Sequence, residues 1–266
     1  MSSAESKLRE SDLAGCLSDL KEEVRRSPAD PKPRVFLAQL LMVRGDWERA
    51  LTQLSVIGEM DASALPMAQA YRAAIQCEQL RGSVLRGERS PLVFGDPQPW
   101  MALLVQALAT LAAGNPTEAE ELRGRAFEAA PTSAGSLNGA GFEWVADADS
   151  RLGPVLEVLL NGAYYWVPFE RIAAIRIEPP EDLRDLVWLP AEFTWTNGGQ
   201  TAGFIPTRYP GSEASQDAAI LLARKTEWSA IGADSFCGLG QRVLATSADE
   251  VPLLQVREIE LRPADS

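Results

Sequence analysis

The sequence predicts an α+β protein: a tetratricopeptide-like all-α helical repeat followed by a small, mostly antiparallel β domain. Three observations predict it. A spacing of glycine, small residue and leucine recurs in the first half at a period near about 34 residues. The second half carries short β-rich runs separated by Asn-Gly turns. Between them, residues 132–141 (TSAGSLNGAG) have the small, flexible composition of a linker. The expected division is therefore a helical unit over 1–131 and a β-rich unit over 142–266.

The repeat is anchored on Gly45. Leu37, Ala38 and Leu41 precede it on one helix, and Trp47, Ala50 and Leu54 follow on the next. A glycine permits the tight turn, and a small residue permits two helices to cross closely. One period back, Cys16 and Leu20 take the places of Ala50 and Leu54, within a helix expected over Asp12–Arg26 with Ser11 or Asp12 as its cap. Its partner helix would lie in residues 1–10 or be missing. Two periods forward, Gly114 and Ala119 repeat Gly45 and Ala50, with Asn115 as cap, Pro116 at the first helical position and Glu118 three residues after the cap. A middle unit should begin with a helix over Pro66–Gln79. Its second helix is absent from the pattern, because residues 86–100 (RGERSPLVFGDPQPW) read as a loop.

In the second half, Val155–Leu160 and Ala163–Val167 flank Asn161-Gly162, a strong hairpin signal. Pairing about that turn puts Leu156, Val158, Leu160, Tyr165 and Val167 on one face. Val155, Glu157, Leu159, Tyr164 and Trp166 share the other, a charge beside two aromatics. Further strands are expected at Ile172–Ile177, Asp185–Trp188, Glu192–Thr196, Ala202–Pro206, Gln241–Thr246 and Leu253–Leu261. A helix capped by Ser215 is expected over Gln216–Lys225.

Composition narrows the function. The chain has 46% hydrophobic and 23% charged residues, close to a globular average, so a real core is expected. Formal net charge is -12. Of 25 Lys and Arg and 37 Asp and Glu, residues 141–266 hold 10 and 19, so the acidity is concentrated there. Such a surface repels phosphate backbones and excludes nucleic acid as an expected partner. The charged N-terminus lacks a secretory apolar segment, and the longest apolar run, 101–113, is too short for a membrane span. Three scattered cysteines fit a reducing cytoplasm, and no membrane partner is expected. Histidine is absent, which removes His-based triads and zinc sites. No cofactor and no metal are expected.

Candidate site residues are few. Asp147, Asp149 and Arg151 in ADADSR suggest a shared cation or acid–base chemistry, hence the alternative of a carboxylate-based hydrolase. The further oxygens and the turn glycine of a calcium loop are missing, and a solvated turn or an Asp–Arg pair is the commoner use of such a cluster. The glycines at 198–199 and 238–240 lack the context of a phosphate loop. Tyr164, Trp166 and Trp188 are the leading candidates for partner binding, with Arg208, Tyr209, Asp147 and Arg151 beside them, since aromatics with charged neighbours make interface hot spots. Packing of the sheet onto the helical array is the competing use of the same aromatics.

Four segments carry a family resemblance: WVADADSRLGPVLEVLLNGAYYWVPFERI (144–172), DLRDLVWLPAEFTW (182–195), PTRYPGSE (206–213) and RGERSPLVFGDPQPWM (86–101). The chain resembles the ImpE/SciE (TagJ) family, accessory proteins of bacterial type VI secretion, over nearly its whole length. The resemblance implies a cytoplasmic, non-enzymatic adaptor. It implies binding to the small subunit of the contractile sheath through that subunit's N-terminal helix, and an indirect link to the AAA+ ATPase that disassembles the sheath. It carries no catalytic residue. A helix lying in a groove suits a repeat array, and the β-rich unit is the other place to hold it.

Overall fold

The structure, a computed structural model, describes residues 2–262. Helix α1 (Ser3–Arg9) starts on a Ser2–Glu5 capping box, and α2 (Leu13–Arg26) starts on Asp12, whose carboxylate accepts from Gly15 N at 2.8 Å. The first repeat therefore has both of its helices. α3 (Pro31–Val43) and α4 (Trp47–Met60) turn on Gly45 at φ +66°, with Ala38 and Ala50 buried at their crossing. α5 (Leu65–Leu85) runs past the expected Gln79, because its buried face continues through Arg81, Val84 and Leu85. No second helix follows. The segment after it supplies β1 (Leu92–Val93), which pairs in parallel with a strand of the second half. α6 (Pro99–Ala112) and α7 (Pro116–Ala129) turn on Gly114 at φ +84°, with Asn115 at the cap position but making no side-chain capping bond.

The stretch expected as a linker holds two strands, β2 (Gly135–Leu137) and β3 (Ala140–Phe142). Its small residues serve strand packing: a Cβ on Gly135 would stand 2.0 Å from the carbonyl oxygen of Glu260. After β4 (Val145–Asp147) come β5 (Val155–Leu160) and β6 (Ala163–Pro168), joined by Asn161 and Gly162 at φ 49° and 76°. β7 (Ile172–Arg176), β8 (Trp188–Trp195) and β9 (Gln200–Pro206) follow. The strand expected from Asp185 is a 3-10 turn, Leu183–Leu186, held by an Asp182–Asp185 capping box.

The expected ten-residue helix is shorter. α8 (Ala218–Leu221) is capped by Asp217 rather than Ser215 and stops where Ala223 turns left-handed at φ 51°. A hairpin absent from the sequence expectations, β10 (Thr226–Ala230) and β11 (Phe236–Gly240), comes next. β12 (Val243–Thr246), β13 (Glu250–Pro252) and β14 (Glu258–Leu261) end the fold, the last preceded by a 3-10 turn at Leu253–Gln255.

The main sheet has nine strands in the order β1-β6-β5-β9-β8-β7-β14-β2-β3. One face is covered throughout its centre, and the other is covered at β5, β6 and the start of β8 but open farther along β8 and β9. The partly open face packs on the helices through Val155, Leu159, Tyr164, Trp166 and Trp188. The covered face packs on the β4-β12-β13 sheet through Leu156, Val158, Leu160, Val167 and Leu244. The two faces of the β5–β6 hairpin divide as its turn dictates. Helices α3 and α5, the first of their respective repeats, supply the main contacts to the β half. At these two helices the array meets the β half of the chain.

Gly203 fixes the seam between β5 and β9. A Cβ there would lie 2.6 Å from both the Leu159 carbonyl oxygen and Leu160 Cδ2, and the carbonyl belongs to a paired strand that has little room to yield. Gly203→Ala is expected to cost about 1–3 kcal/mol, the usual range for overpacking. Urea unfolding checks this; an unchanged midpoint would show that the seam can open freely.

Candidate functional site

At the centre of the helix–sheet contact lies a charge cluster shut off from solvent. β5 would be wholly apolar but for Glu157, which its alternation turns toward the helices and which is 0% exposed. Arg81 of α5 meets it with two bonds, Nε to Oε1 at 3.0 Å and Nη2 to Oε2 at 2.9 Å. This is the forked geometry that suits guanidinium to carboxylate. Arg242, just before β12, donates to Glu157 Oε2 from one nitrogen and to Asp147 Oδ2 from another. Tyr164 OH donates to Glu157 Oε1 at 2.5 Å and itself accepts from Trp166 Nε1 at 2.7 Å.

Further polar contacts ring this centre. Arg81 also reaches Glu78 Oε1 at 2.6 Å and the carbonyl of Arg208 at 2.7 Å. Trp188 Nε1 donates to Glu78 Oε2 at 3.0 Å. Arg208 donates to the carbonyls of Val43 and Leu221, so its charge sits at the C-terminal end of α3 where the helix dipole favours a cation. Asp147 accepts from Tyr209 OH at 3.0 Å and from Asp149 N at 2.9 Å. Asp149 pairs with Arg151 through Nη2 at 2.6 Å and accepts from Gly238 N at 3.0 Å. Trp47, Tyr71, Trp188 and Phe204 stack beside the cluster with ring centroids 5.5–6.1 Å apart.

The electrostatics follow from burial opposed by pairing. Burial pushes Glu157 up, but Arg81 and Arg242 outweigh it and hold the carboxyl at about 2. Burial likewise opposes the charge of Arg81, and Glu157 and Glu78 reverse that and raise it. For Asp147 burial wins over Arg242, and the group is pushed up to about 6. Arg208, with no carboxylate against it, is lowered to about 10 by burial. Burial, then the adjacent carboxylates, drive the Tyr164 and Tyr209 hydroxyls well above their ordinary value.

This arrangement corrects the site expected from sequence. Tyr164, Trp166, Trp188, Arg208, Tyr209 and Asp147 are all buried, and Arg151 is largely so; none presents a surface to a partner. Their aromatic area is spent on joining the sheet to the array. Asp147, Asp149 and Arg151 do come together, yet the carboxylate oxygens are taken by Arg242, Tyr209, Arg151 and backbone amides, so neither of these two carboxylates is open to a substrate. Among the described residues no group of His, Cys, Asp and Glu is placed to hold a metal ion. Arg81, Glu78 and Arg242 were not singled out in the sequence. Arg81 carried a readable signal: with Ala74, Cys77, Val84 and Leu85 it falls on the buried stripe of α5.

The open concavities lie elsewhere. One of about 440 Å³ runs between α5 and the β5–β6 turn, lined by Pro66, Ala70, Ala73, Gly162 and Phe204. It shares Ala202, Gly203 and Phe204 with a second, of about 400 Å³, over β8 and β9, beside which stand Arg176, Glu178 and Glu192. The two form one mainly apolar trough with a charged rim.

Removing the central charge while keeping its shape tests the cluster. Glu157→Gln leaves two buried guanidinium groups short of a carboxylate and is expected to destabilise the fold by about 3–5 kcal/mol. Since Glu157 sits below its unfolded value of 4.5, its contribution is complete above that pH and is lost as pH falls toward 2. Asp147, raised above 3.8, works in the opposite sense, its contribution being lost as pH rises through about 6. Denaturant titrations across pH 2–7 should therefore show a steeper acid limb in the wild type than in Glu157→Gln. Parallel limbs would mean that Glu157 does not carry that dependence.

An ImpE protein family profile matches residues 139–260. Over 263 residues, 99% of this chain and 92% of the other, the sequence is 48% identical to a Pseudomonas aeruginosa protein named type VI secretion system accessory component TagJ. The fold is similar to the X-ray crystal structure of a Vibrio parahaemolyticus protein, with TM-score 0.88, 26% identity and 98% of each chain covered. With near-full-length identity at this level, the chain belongs to the ImpE (TagJ) family.

Proposed function

We propose that this protein is a non-enzymatic adaptor of type VI secretion that binds the small contractile-sheath subunit through that subunit's N-terminal helix. Its accessory role in type VI secretion rests on one observation, the 48% identity over 99% of the chain to a protein bearing that name. The adaptor works in the cytoplasm, linking the sheath to its assembly or, indirectly, to the ATPase that drives disassembly. A binding role without chemistry is supported by the cluster at Glu157, whose charged groups are committed to one another.

The trough between α5 and β9 is the surface that best suits an amphipathic helix. Small side chains at Ala70, Ala73 and Gly162 admit close approach of a helix, and Phe204 supplies an apolar contact on its floor. Glu178 and Glu192 on the rim favour a basic flank beside the helix's apolar stripe. No described helix is long and apolar enough to cross a membrane.

Calorimetric titration with the N-terminal peptide of the small sheath subunit tests both parts. Saturable binding is expected, and Ala73→Arg, which fills the trough from a half-buried position on its wall, should weaken it by about tenfold or more. Absence of wild-type binding at high micromolar peptide would sink direct sheath recognition. Wild-type binding untouched by Ala73→Arg would move the site out of the trough.

A further inference from the structure

The β10–β11 hairpin holds a strand whose outer edge is bare. Its ladder can be assigned residue by residue. On β11, Phe236 N donates to Ser150 Oγ at 3.0 Å, Gly238 N to Asp149 Oδ2 at 3.0 Å and Gly240 N to Ser212 Oγ at 2.8 Å. These three residues therefore turn away from β10. Ile231 N donates to the Ser235 carbonyl and Gln241 N to the Lys225 carbonyl, which sets the inward-facing series on β10 as Lys225, Glu227, Ser229 and Ile231. The backbone groups of Thr226, Trp228 and Ala230 then point outward, and among the described residues none of their amides or carbonyls has a backbone partner on that side.

Proteins usually protect such an edge with charges, a proline, a bulge or a cover. β10 has only the charge of Glu227: its register with β11 is unbroken, and Glu227, Trp228, Ser229 and Ala230 are all exposed. Lys225, just before the strand, is tied to Asp217 and Glu227. Trp228, Ala230 and Phe236 share one face of the hairpin, with Trp228 39% and Phe236 44% exposed. Trp228 is held upright by Tyr209, ring centroids 5.6 Å apart. Beyond Ala230 the edge opens into a concavity of about 680 Å³ between the hairpin tip and α6–α7, lined by Leu111, Pro116, Thr117 and Ile231. Glu120 of α7 pins that tip, accepting from Ala233 N, Asp234 N and Ser235 Oγ.

We propose that β10 accepts an extended segment of a partner protein as a third strand, with apolar residues set against Trp228 and Phe236 and basic residues on the alternate face. Main-chain bonds to Trp228 and Ala230 supply the attachment, and the alternating side chains supply selectivity. The basic character follows from the net acidity of this edge, where one lysine, Lys225, is shared by Asp217 and Glu227, and Asp234 and Glu120 stand at the tip. This surface is separate from the α5–β9 trough and stands whether or not a sheath helix binds there.

The test uses the full chain and an acetylated, amidated eight-residue peptide alternating lysine and valine. Amide NMR titration should give saturable shifts centred on Thr226, Trp228 and Ala230. Ala230→Pro removes one outward N–H and spares the inward ladder, so it should keep the fold by circular dichroism while weakening binding by about tenfold or more. The same peptide with glutamate for lysine should also bind about tenfold more weakly. Shifts centred elsewhere, no shifts, or equal binding by Ala230→Pro would overturn the proposal. So would self-association of the free protein through the same amides, which would assign the edge to a second copy of the chain.

Discussion

One carboxylate, Glu157, is buried between two guanidinium groups that come from opposite ends of the chain. Arg81 is anchored on the longest helix and Arg242 at the start of β12, and both converge on the centre of the main sheet. Taking three charges out of water is costly, so the arrangement holds only if each charged nitrogen and oxygen has a partner. The structure meets that condition through Tyr164, Glu78, Asp147 and the carbonyls of Pro206 and Arg208. Such a network contributes more to uniqueness than to net stability. A sheet shifted by one residue would turn Glu157 into the apolar core on the other face, and a helix displaced by one turn would leave Arg81 without it.

This constraint decides where function can reside. A helical repeat ordinarily offers its inner side to a ligand. Here the helices meet the protein's own sheet, with Trp188 packed against Trp47 and Tyr71 and Arg208 capping α3. Open to partners are a trough with a small-residue wall and a hairpin with a bare edge.

Much of this was legible from sequence, and the failures have physical causes. Gly45 and Gly114 mark the helix turns well because breakers act locally. The Asn161-Gly162 turn fixes both faces of its hairpin for the same reason. Residues 132–141 misled because small residues serve close strand approach at Gly135 as well as flexibility. The β10–β11 hairpin has no strong turn signal, and its pairing is completed by Ser150, Asp149 and Ser212 from distant loops. Tyr164, Trp166 and Trp188 were correctly marked as unusual, but sequence alone does not say whether an aromatic face meets a partner or the other half of its own chain. The clue that went unread is Arg81, which lies beyond the expected helix end at Gln79 but on the buried stripe of α5, a charge that requires an opposite one.

The central claim is that the ionic cluster makes the helical array and the sheet a single cooperative body. Native-state hydrogen exchange reads this directly by comparing the α5 amides around Arg81 with the β5 amides around Glu157. The account predicts that both exchange only through the same global opening, with equal free energies that fall together with added denaturant. Exchange of α5 through a separate opening of lower energy, while β5 stays protected, would contradict it.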